Sequence, residues 1–266
     1  MFILPHAKRT TPHVEPRNFF IWGATMSGKS YFCNYFPAPL VLNTDGNSTQ
    51  LDAPSIQIRN ERDANGNLTK SAIEQLDEIL SALRAQNPTR PEDDQFKTLV
   101  LDVIDDMCVL IEQAICLKYH KATLSDFGYS KGFAMFDQVL QTLVMELKAL
   151  PLNIIYVSRE TMKQDGDATT YLPSLKPKLF NVINGNCDVV IRTQKIGNGK
   201  GAEYFRTVQS LRTMYKPEDI SDPRVLQLLK SCAGMFTKKE LQRYELEQKQ
   251  KQELLAENKE KQKWVY

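Results

Sequence analysis

The chain has 266 residues, of which 42% are hydrophobic and 25% charged, with a net charge of +2 at pH 7. This composition is typical of a globular protein with one α/β domain plus appendages, and the charge favours no class of partner. No run approaches the roughly 18–20 apolar residues of a membrane helix, and the apolar run at residues 2–4 is too short for a signal peptide. We therefore expect a cytoplasmic protein without a membrane partner. Its five scattered cysteines are typical of buried thiols in a reducing compartment.

The first half of the chain alternates short apolar runs with helical patterns. Residues 1–17 contain three prolines and predict an extended arm. After the arm, continuous apolar runs predict buried strands, and apolar residues three to four positions apart predict helices. In chain order the predicted elements are a strand at 18–22, a loop at 23–29, a helix at 30–36, strands at 40–42 and 55–59, a turn at 62–67, a helix at 71–85 and a strand at 98–101.

The second half continues the alternation before its texture changes. The predicted elements are helices at 106–119 and 131–149, a strand at 153–157, a long polar loop at 161–186, strands at 189–192 and 203–208 that pair across residues 197–201, and a short helix at 223–232. Residues 237–263 are dominated by Lys, Glu and Gln, which predicts a solvated helix or a partly ordered tail.

Short apolar strands separated by helices predict an α/β fold with a mostly parallel central sheet flanked by helices. We expect three segments: an N-terminal arm at 1–17, a core domain at 18–216 and a charged helical tail at 217–266. Ligands of such sheets bind beyond the carboxyl ends of the strands. Polar residues at those ends are therefore the candidates for function.

The loop after the first predicted strand matches the phosphate-binding pattern G-x-x-x-x-G-K-[ST] at every fixed position. Its backbone N–H groups are expected to surround phosphate oxygens, with a lysine on the β and γ phosphates and a serine hydroxyl on Mg²⁺. The positive end of the following helix adds to the attraction. The sequence therefore predicts a site for ATP and Mg²⁺ at Gly23, Ala24, Thr25, Met26, Ser27, Gly28, Lys29, Ser30 and Tyr31.

Acidic residues follow two of the other predicted strands. Asp102 closes the apolar run at 98–101, which is the expected position of the Walker B aspartate that supports Mg²⁺. Asp105 and Asp106 are rival candidates, or they cap the next helix. Asp45 ends the second strand, where it would act as the general base for the attacking water or simply form a turn.

Polar residues after the strand at 153–157 are candidates for sensing the γ-phosphate. Ser158 and Arg159 lie there, although Arg159 would equally suit a surface ion pair. The polar segment that follows contains Lys163, Lys176 and Lys178, with Tyr171 and Phe180 nearby, and cations with aromatic rings are typical of surfaces that bind single-stranded nucleic acid. A solvated loop, or a lysine that reaches the nucleotide of a neighbouring subunit, fits the same residues.

Together these stretches resemble a known family. FFIWGATMSGKS, PLVLNTDGN, KTLVLDVIDDM and NIIYVSRE are similar in order and pattern to the phage nucleotide-binding proteins of the RecA-like P-loop ATPase class, the Sak-type recombination and single-strand annealing ATPases. The resemblance spans residues 18–208. It implies a RecA-like core and a role in phage recombination or replication on single-stranded DNA, beside a single-strand binding protein.

The resemblance also implies roles for individual residues. Lys29 and Ser30 take the nucleotide and Mg²⁺ positions, and Asp102 takes the Walker B position. Asp45 stands where the relatives carry a catalytic acidic residue, more often Glu. The loop after Val157 corresponds to the DNA-binding loop of RecA.

Three functions are compatible with the sequence. The first is a DNA-dependent ATPase that assembles as a homo-oligomeric ring or filament. The second is a nucleotide-gated scaffold or loader that does not hydrolyse ATP and recruits a protein partner through the tail. The third is a nucleotide kinase, which would normally require an Arg-rich lid. We expect the first.

Overall fold

The computed structural model describes residues 15–46 and 52–263, with side chains described as far as residue 254. The expected N-terminal arm therefore lies, except for residues 15–17, outside the described part. The central sheet follows the order β10-β9-β1-β7-β6-β2-β3, and β8 extends it by pairing with β7. Its strands are β1 (Asn18–Gly23), β2 (Pro39–Asn43), β3 (Ser55–Gln57), β6 (Thr98–Asp102), β7 (Asn153–Asp165), β8 (Ala168–Pro173), β9 (Val189–Ile196) and β10 (Glu203–Leu211).

Helices join most of these strands. They are α1 (Lys29–Asn34), α2 (Ala72–Gln86), α3 (Ile104–Lys118), α4 (Lys131–Lys148), α5 (Pro177–Asn184), α6 (Pro223–Lys230) and α7 (Lys238–Lys263). A small separate hairpin is formed by β4 (Glu61–Arg62) and β5 (Leu68–Lys70), as the turn signal at 62–67 predicts. Among the described residues, none of the helices has the length and apolar character that crossing a membrane requires.

The sheet is mostly parallel. β1 lies between β7 and β9 and is parallel to both, and the parallel pairing continues through β6, β2 and β3. β10 pairs antiparallel with β9 at one edge, as predicted for the two late strands. Every residue of β1 is buried, because helices cover both faces of the sheet. The predicted α/β class is confirmed.

Alternate residues of β1 supply the two hydrophobic cores. Phe20 and Trp22 pack in the larger core, which α2, α3 and α4 share. Phe19 and Ile21 point to the opposite face and pack with residues of α1 and α6. Successive side chains of a strand point to opposite faces, so one continuous apolar run supports both layers.

The segment at 161–186, expected to be a polar loop, is instead a β-hairpin followed by α5. β7 continues past Val157, where its apolar run ends, and pairs antiparallel with β8 from Glu160 to Asp165. We call residues 160–173 the hairpin. Its residues are largely exposed, so the sequence there shows neither a buried run nor a clear alternation.

The C-terminal part has two regions with different packing. Val225, Leu226 and Leu229 of α6 are buried in the core that contains Phe19, so α6 packs on the sheet. α7 is the solvated helix that the charged composition predicts. The division of the chain into domains at residue 217 stays a prediction. Because α6 packs in the same core as β1, the segment after residue 217 does not have a separate core there.

One local signal in the sequence yields a stability prediction. Ser71 caps α2, because its hydroxyl accepts from the Glu74 N–H while the Glu74 carboxylate accepts from the Ser71 N–H. Ser71→Ala should lower the free energy of unfolding by about 1 kcal/mol. Ser81→Ala, at an exposed position within the same helix, is the control and should change little. Equal effects of the two substitutions in urea unfolding would contradict the role of the cap.

Candidate nucleotide-binding site

The loop between β1 and α1 lies tightly against β9. A Cβ added to Gly23 would lie 2.2 Å from the carbonyl oxygen of Thr193 and 2.5 Å from its hydroxyl oxygen. The hydroxyls of Ser27 and Thr193 form a buried hydrogen bond of 2.6 Å, which ties the far side of the loop to the same strand. The position of the loop is therefore fixed by β9 as well as by β1.

Left-handed backbone shapes the rest of the loop. Met26 has φ 61° and Gly28 has φ 83°, a region in which glycine has no steric penalty. Such conformations let successive backbone N–H groups converge on an anion. A Cβ at Gly28 would lie 3.2 Å from the Cδ1 atom of Tyr204 on β10, so the tyrosine ring rests against the loop.

Lys29 begins α1 and is largely buried. Its ammonium group donates to the carbonyl oxygens of Gly23 and Ala24, both at 2.8 Å. Burial lowers the pKa of Lys29, and the nearby Asp102 carboxylate opposes that change. The result is a partly desolvated cation at the loop, where its attraction for phosphate oxygens is stronger than in bulk water.

Ser30 and Asp102 are in direct contact. The Ser30 hydroxyl donates to Oδ2 of Asp102 at 2.6 Å. Asp102 is the last residue of β6, which brings its carboxylate beside the loop. Burial raises the pKa of Asp102, the Ser30 hydrogen bond partly offsets this, and the negative charge of Asp45 adds to it.

Asp45 lies at the same edge, after the end of β2. Asn43 pairs with Asp102 across β2 and β6, so Asp45 lies two residues beyond the position opposite Asp102, and its negative charge raises the pKa of both Asp102 and Arg159. The backbone there is well supported, since the Thr44 N–H donates to the Asp102 carbonyl oxygen at 3.1 Å. Asp45 itself is exposed and therefore open to water.

Asp105 and Asp106 do not cap α3, contrary to one expectation. The N-cap is Val103, and both aspartates lie in the first turn, facing the residues of β7 that follow its apolar part. Asp105 accepts from the Ser158 hydroxyl and from the Arg159 N–H, each at 3.2 Å. Asp106 accepts two hydrogen bonds from the Arg159 guanidinium, at 2.6 and 2.5 Å. Of the three candidates for the Walker B position, Asp102 is therefore the one whose carboxylate contacts Ser30.

These contacts link the nucleotide edge to the hairpin. Hydrogen bonding to Arg159 lowers the pKa of Asp106, so the pair stays ionised at neutral pH. Asp105 also accepts a short hydrogen bond from Ser174, the residue after β8. Both ends of the hairpin are thus bound to the first turn of α3, which directly follows Asp102.

The three candidate lysines lie in different settings. Lys163 projects from the exposed part of the hairpin, opposite Thr170. Lys176 is exposed just before α5. Lys178, in the first turn of α5, forms an ion pair with Asp137 of α4. The structure does not bring the three into one cluster with the loop.

Sequence reasoning missed Thr193 and Tyr204. Both belong to the late strands β9 and β10, which were predicted as elements but given no role. The pairing of β9 with β1 brings Thr193 beside Gly23. No short motif marks such a long-range contact. The available signal was a Thr and a Tyr near the carboxyl end of one late strand and the start of the next.

The residues at this edge fit a nucleoside triphosphate with Mg²⁺. The oxygen donors of Ser30 and Asp102 suit Mg²⁺, which takes few protein ligands and keeps water and phosphate oxygens. Gly23 allows the close approach of the loop to β9, where a Cβ would clash with Thr193, and Lys29 supplies the cation. Within residues 15–46 and 52–254, no group of three or more His, Cys, Asp or Glu side chains is arranged to hold a metal by itself.

The raised pKa of Asp102 predicts a dependence of stability on pH. The folded state binds the proton of the Asp102 carboxyl more tightly than the unfolded state does. The contribution of this group to the free energy of unfolding is therefore complete below the ordinary aspartate pKa, and it is lost as the pH rises through the raised pKa. Asp102→Asn should therefore raise the melting temperature of the nucleotide-free protein near pH 7 and flatten its pH dependence. The control is Asp93→Asn, at an exposed position. A lower melting temperature for Asp102→Asn alone would contradict the assignment.

Comparisons with known proteins identify the family of the chain. Residues 15–215 match the family model described as AAA domain. Among solved structures, the KaiC-like protein PH0186 from the hyperthermophilic archaeon Pyrococcus horikoshii OT3 is similar, with 13% identity, a TM-score of 0.41, and coverage of 74% of this chain and 80% of that one. A search of curated proteins finds no match. The mostly parallel sheet flanked by helices is the fold of RecA-like P-loop ATPases, and the chain belongs to the AAA domain family.

Proposed function

We propose that the protein binds ATP with Mg²⁺ and hydrolyses it, and that hydrolysis serves phage DNA recombination or replication on single-stranded DNA. The observation that carries the proposal is the convergence of strand ends on the phosphate-binding loop. Ser30 contacts Asp102, and Asp45 and Arg159 are close enough to influence the same charges. A cation, a metal-binding pair and a candidate base are therefore within one small region.

Each group has a distinct role in this proposal. Lys29 binds the β and γ phosphates, and its partial burial strengthens that attraction. Ser30 and Asp102 are the residues that would hold Mg²⁺. When bound, the metal neutralises charge on the phosphate oxygens.

Asp45 acts as the base for hydrolysis. It is exposed, carries a carboxylate and lies beside Asp102, so it can accept a proton from water near the γ-phosphate. Arg159 is the proposed sensor of the γ-phosphate, and its ion pair with Asp106 connects it to α3.

Two substitutions separate binding from hydrolysis. Lys29→Ala should abolish tight binding and lower turnover by about 10²–10³-fold or more, because a preorganised cation is lost. Asp45→Asn should lower turnover by about 10²–10⁴-fold with little change in ATP affinity. Phosphate release and equilibrium binding are the measurements, with Asp93→Asn as the matched carboxylate control. Unchanged turnover in Lys29→Ala would contradict the site, and unchanged turnover in Asp45→Asn would place the base elsewhere.

The hairpin is the proposed contact with single-stranded DNA. It extends beyond the sheet and exposes Lys163 together with Met162, Tyr171 and Leu172. Cations bind the phosphate backbone, and aromatic rings stack on bases without regard to sequence. Its attachment to Asp105, and through Arg159 to Asp106, gives a physical route by which DNA and nucleotide influence each other.

Assembly into a ring or filament follows from the same proposal. Lys176 is exposed and unconnected to the loop of its own chain, so it is the candidate for reaching the nucleotide of a neighbouring subunit. A single-strand binding protein is the expected companion on DNA. A mass that increases with ATP in sedimentation experiments would support assembly.

The first test measures ATP hydrolysis with and without single-stranded DNA over a salt series. We expect stimulation that fades steeply as salt rises, because phosphate contacts release counterions. Lys163→Ala should reduce the slope of log affinity against log salt by about 0.7. Lys118→Ala removes the same charge near the end of α3 distant from Asp102 and should leave the slope unchanged.

The alternative outcomes are informative. Hydrolysis indifferent to DNA would contradict the DNA role and favour a protein partner. Nucleotide binding without hydrolysis would favour the scaffold. Equal slopes for the two lysine variants would remove the hairpin from the DNA contact.

A further inference from the structure

The arrangement of strands gives the bound nucleotide a direction. The groups that hold Mg²⁺ and act on the γ-phosphate, Asp102 and Asp45, follow β6 and β2, on one side of β1. The γ-phosphate must therefore point toward that side. β9 and β10 lie on the opposite side of β1, the side that this direction leaves for the nucleoside end of the ligand.

On that side, the ring of Tyr204 rests on the loop. Its Cδ1 and Cε1 atoms lie 3.2 and 3.6 Å from the position of a Cβ on Gly28. The side chain is 49% exposed, so one part of the ring is held by the loop while the rest faces solvent. An exposed aromatic ring fixed against a phosphate-binding loop is suited to stack on a base attached to those phosphates.

The surroundings of Tyr204 fix its position. Arg206 lies two residues further along β10, on the same face, and its guanidinium is 4.5 Å from the centre of the Phe32 ring in α1. This cation–π contact joins β10 to the helix that follows the loop. Phe205, between them, points to the other face and is 44% exposed.

We propose that Tyr204 is the residue that stacks on the nucleobase, and that it gives the site a preference for purine nucleoside triphosphates. The inference rests on the proposed nucleotide site and adds its base-recognition surface. Purines present a larger aromatic face than pyrimidines, so stacking on one tyrosine ring favours them. Arg206 is a positioning residue, because its contact with the Phe32 ring holds β10 against α1.

The experiment compares a ligand that has a base with one that has none. Calorimetric titration of the full chain measures affinity for a non-hydrolysable ATP analogue and for inorganic tripolyphosphate, both with Mg²⁺. Tyr204→Ala should weaken binding of the ATP analogue about tenfold and leave tripolyphosphate binding unchanged. The advantage of ATP over CTP, measured by competition, should shrink in the same variant.

Two variants control for structural damage. Tyr204→Phe keeps the ring and should keep the affinity for the ATP analogue. Phe205→Ala removes a ring of similar exposure from the other face of β10 and should bind both ligands normally.

Three results would overturn the inference. Unchanged affinity of Tyr204→Ala for the ATP analogue would exclude stacking. Equal weakening of both ligands would mean that the ring only shapes the loop, and weakening by Phe205→Ala to the same extent would mean that β10 as a whole is disturbed. If the unsubstituted protein bound neither ligand, the nucleotide site itself would be contradicted, an outcome distinct from these three.

Discussion

The structure depends on the parallel placement of β1 between β7 and β9. This pairing puts the end of β1 beside Thr193, and the approach is so close that a Cβ at Gly23 would meet the Thr193 carbonyl oxygen at 2.2 Å. Glycine is therefore required there for packing, independently of any role in phosphate binding. The same parallel arrangement brings the ends of β2 and β6 to one edge, beside the point where the apolar part of β7 ends, so that side chains distant in sequence become neighbours.

Burial determines the electrostatics of that edge. Desolvation lowers the pKa of Lys29 and raises the pKa of Asp102, so each charged form is less favourable there than in water. The two charges oppose these shifts by attracting each other, and the Ser30 hydroxyl further stabilises the carboxylate. An incompletely compensated pair of this kind gains more from a phosphate and a metal ion than a fully satisfied surface pair would. If the proposed site is correct, some stability of the free protein is given up for ligand affinity.

The sequence predicts the local features well and the long-range ones poorly. The fold class and the phosphate-binding loop follow from the apolar runs and from a glycine–lysine pattern. The proximity of Asp102 to the loop follows because parallel strands end at a common edge. The hairpin at 160–173 was missed because it buries too little apolar surface to leave a pattern. The sequence does not predict the contacts of Tyr204 and Thr193. These contacts depend on which strands are neighbours, and the periodicity of apolar residues does not determine strand order.

The prediction that Asp105 and Asp106 cap α3 is wrong, and their actual contacts connect α3 to the hairpin. Their position near the start of a helix predicts helix caps. Instead, Asp105 accepts a hydrogen bond from Ser158, and Asp106 accepts hydrogen bonds from Arg159, both residues of β7. The reason is geometric, since α3 starts directly after β6 and β7 is the strand beside it. An arginine that can form two hydrogen bonds with one carboxylate competes better for Asp106 than a single backbone N–H. Asp105 also accepts a hydrogen bond from the Ser174 hydroxyl. The residues that flank both ends of the hairpin are therefore bound to the first turn of α3. That turn lies only a few residues after Asp102, so in the proposed site a change in charge at Asp102 would reach the hairpin through the hydrogen bonds of Asp105 and Asp106.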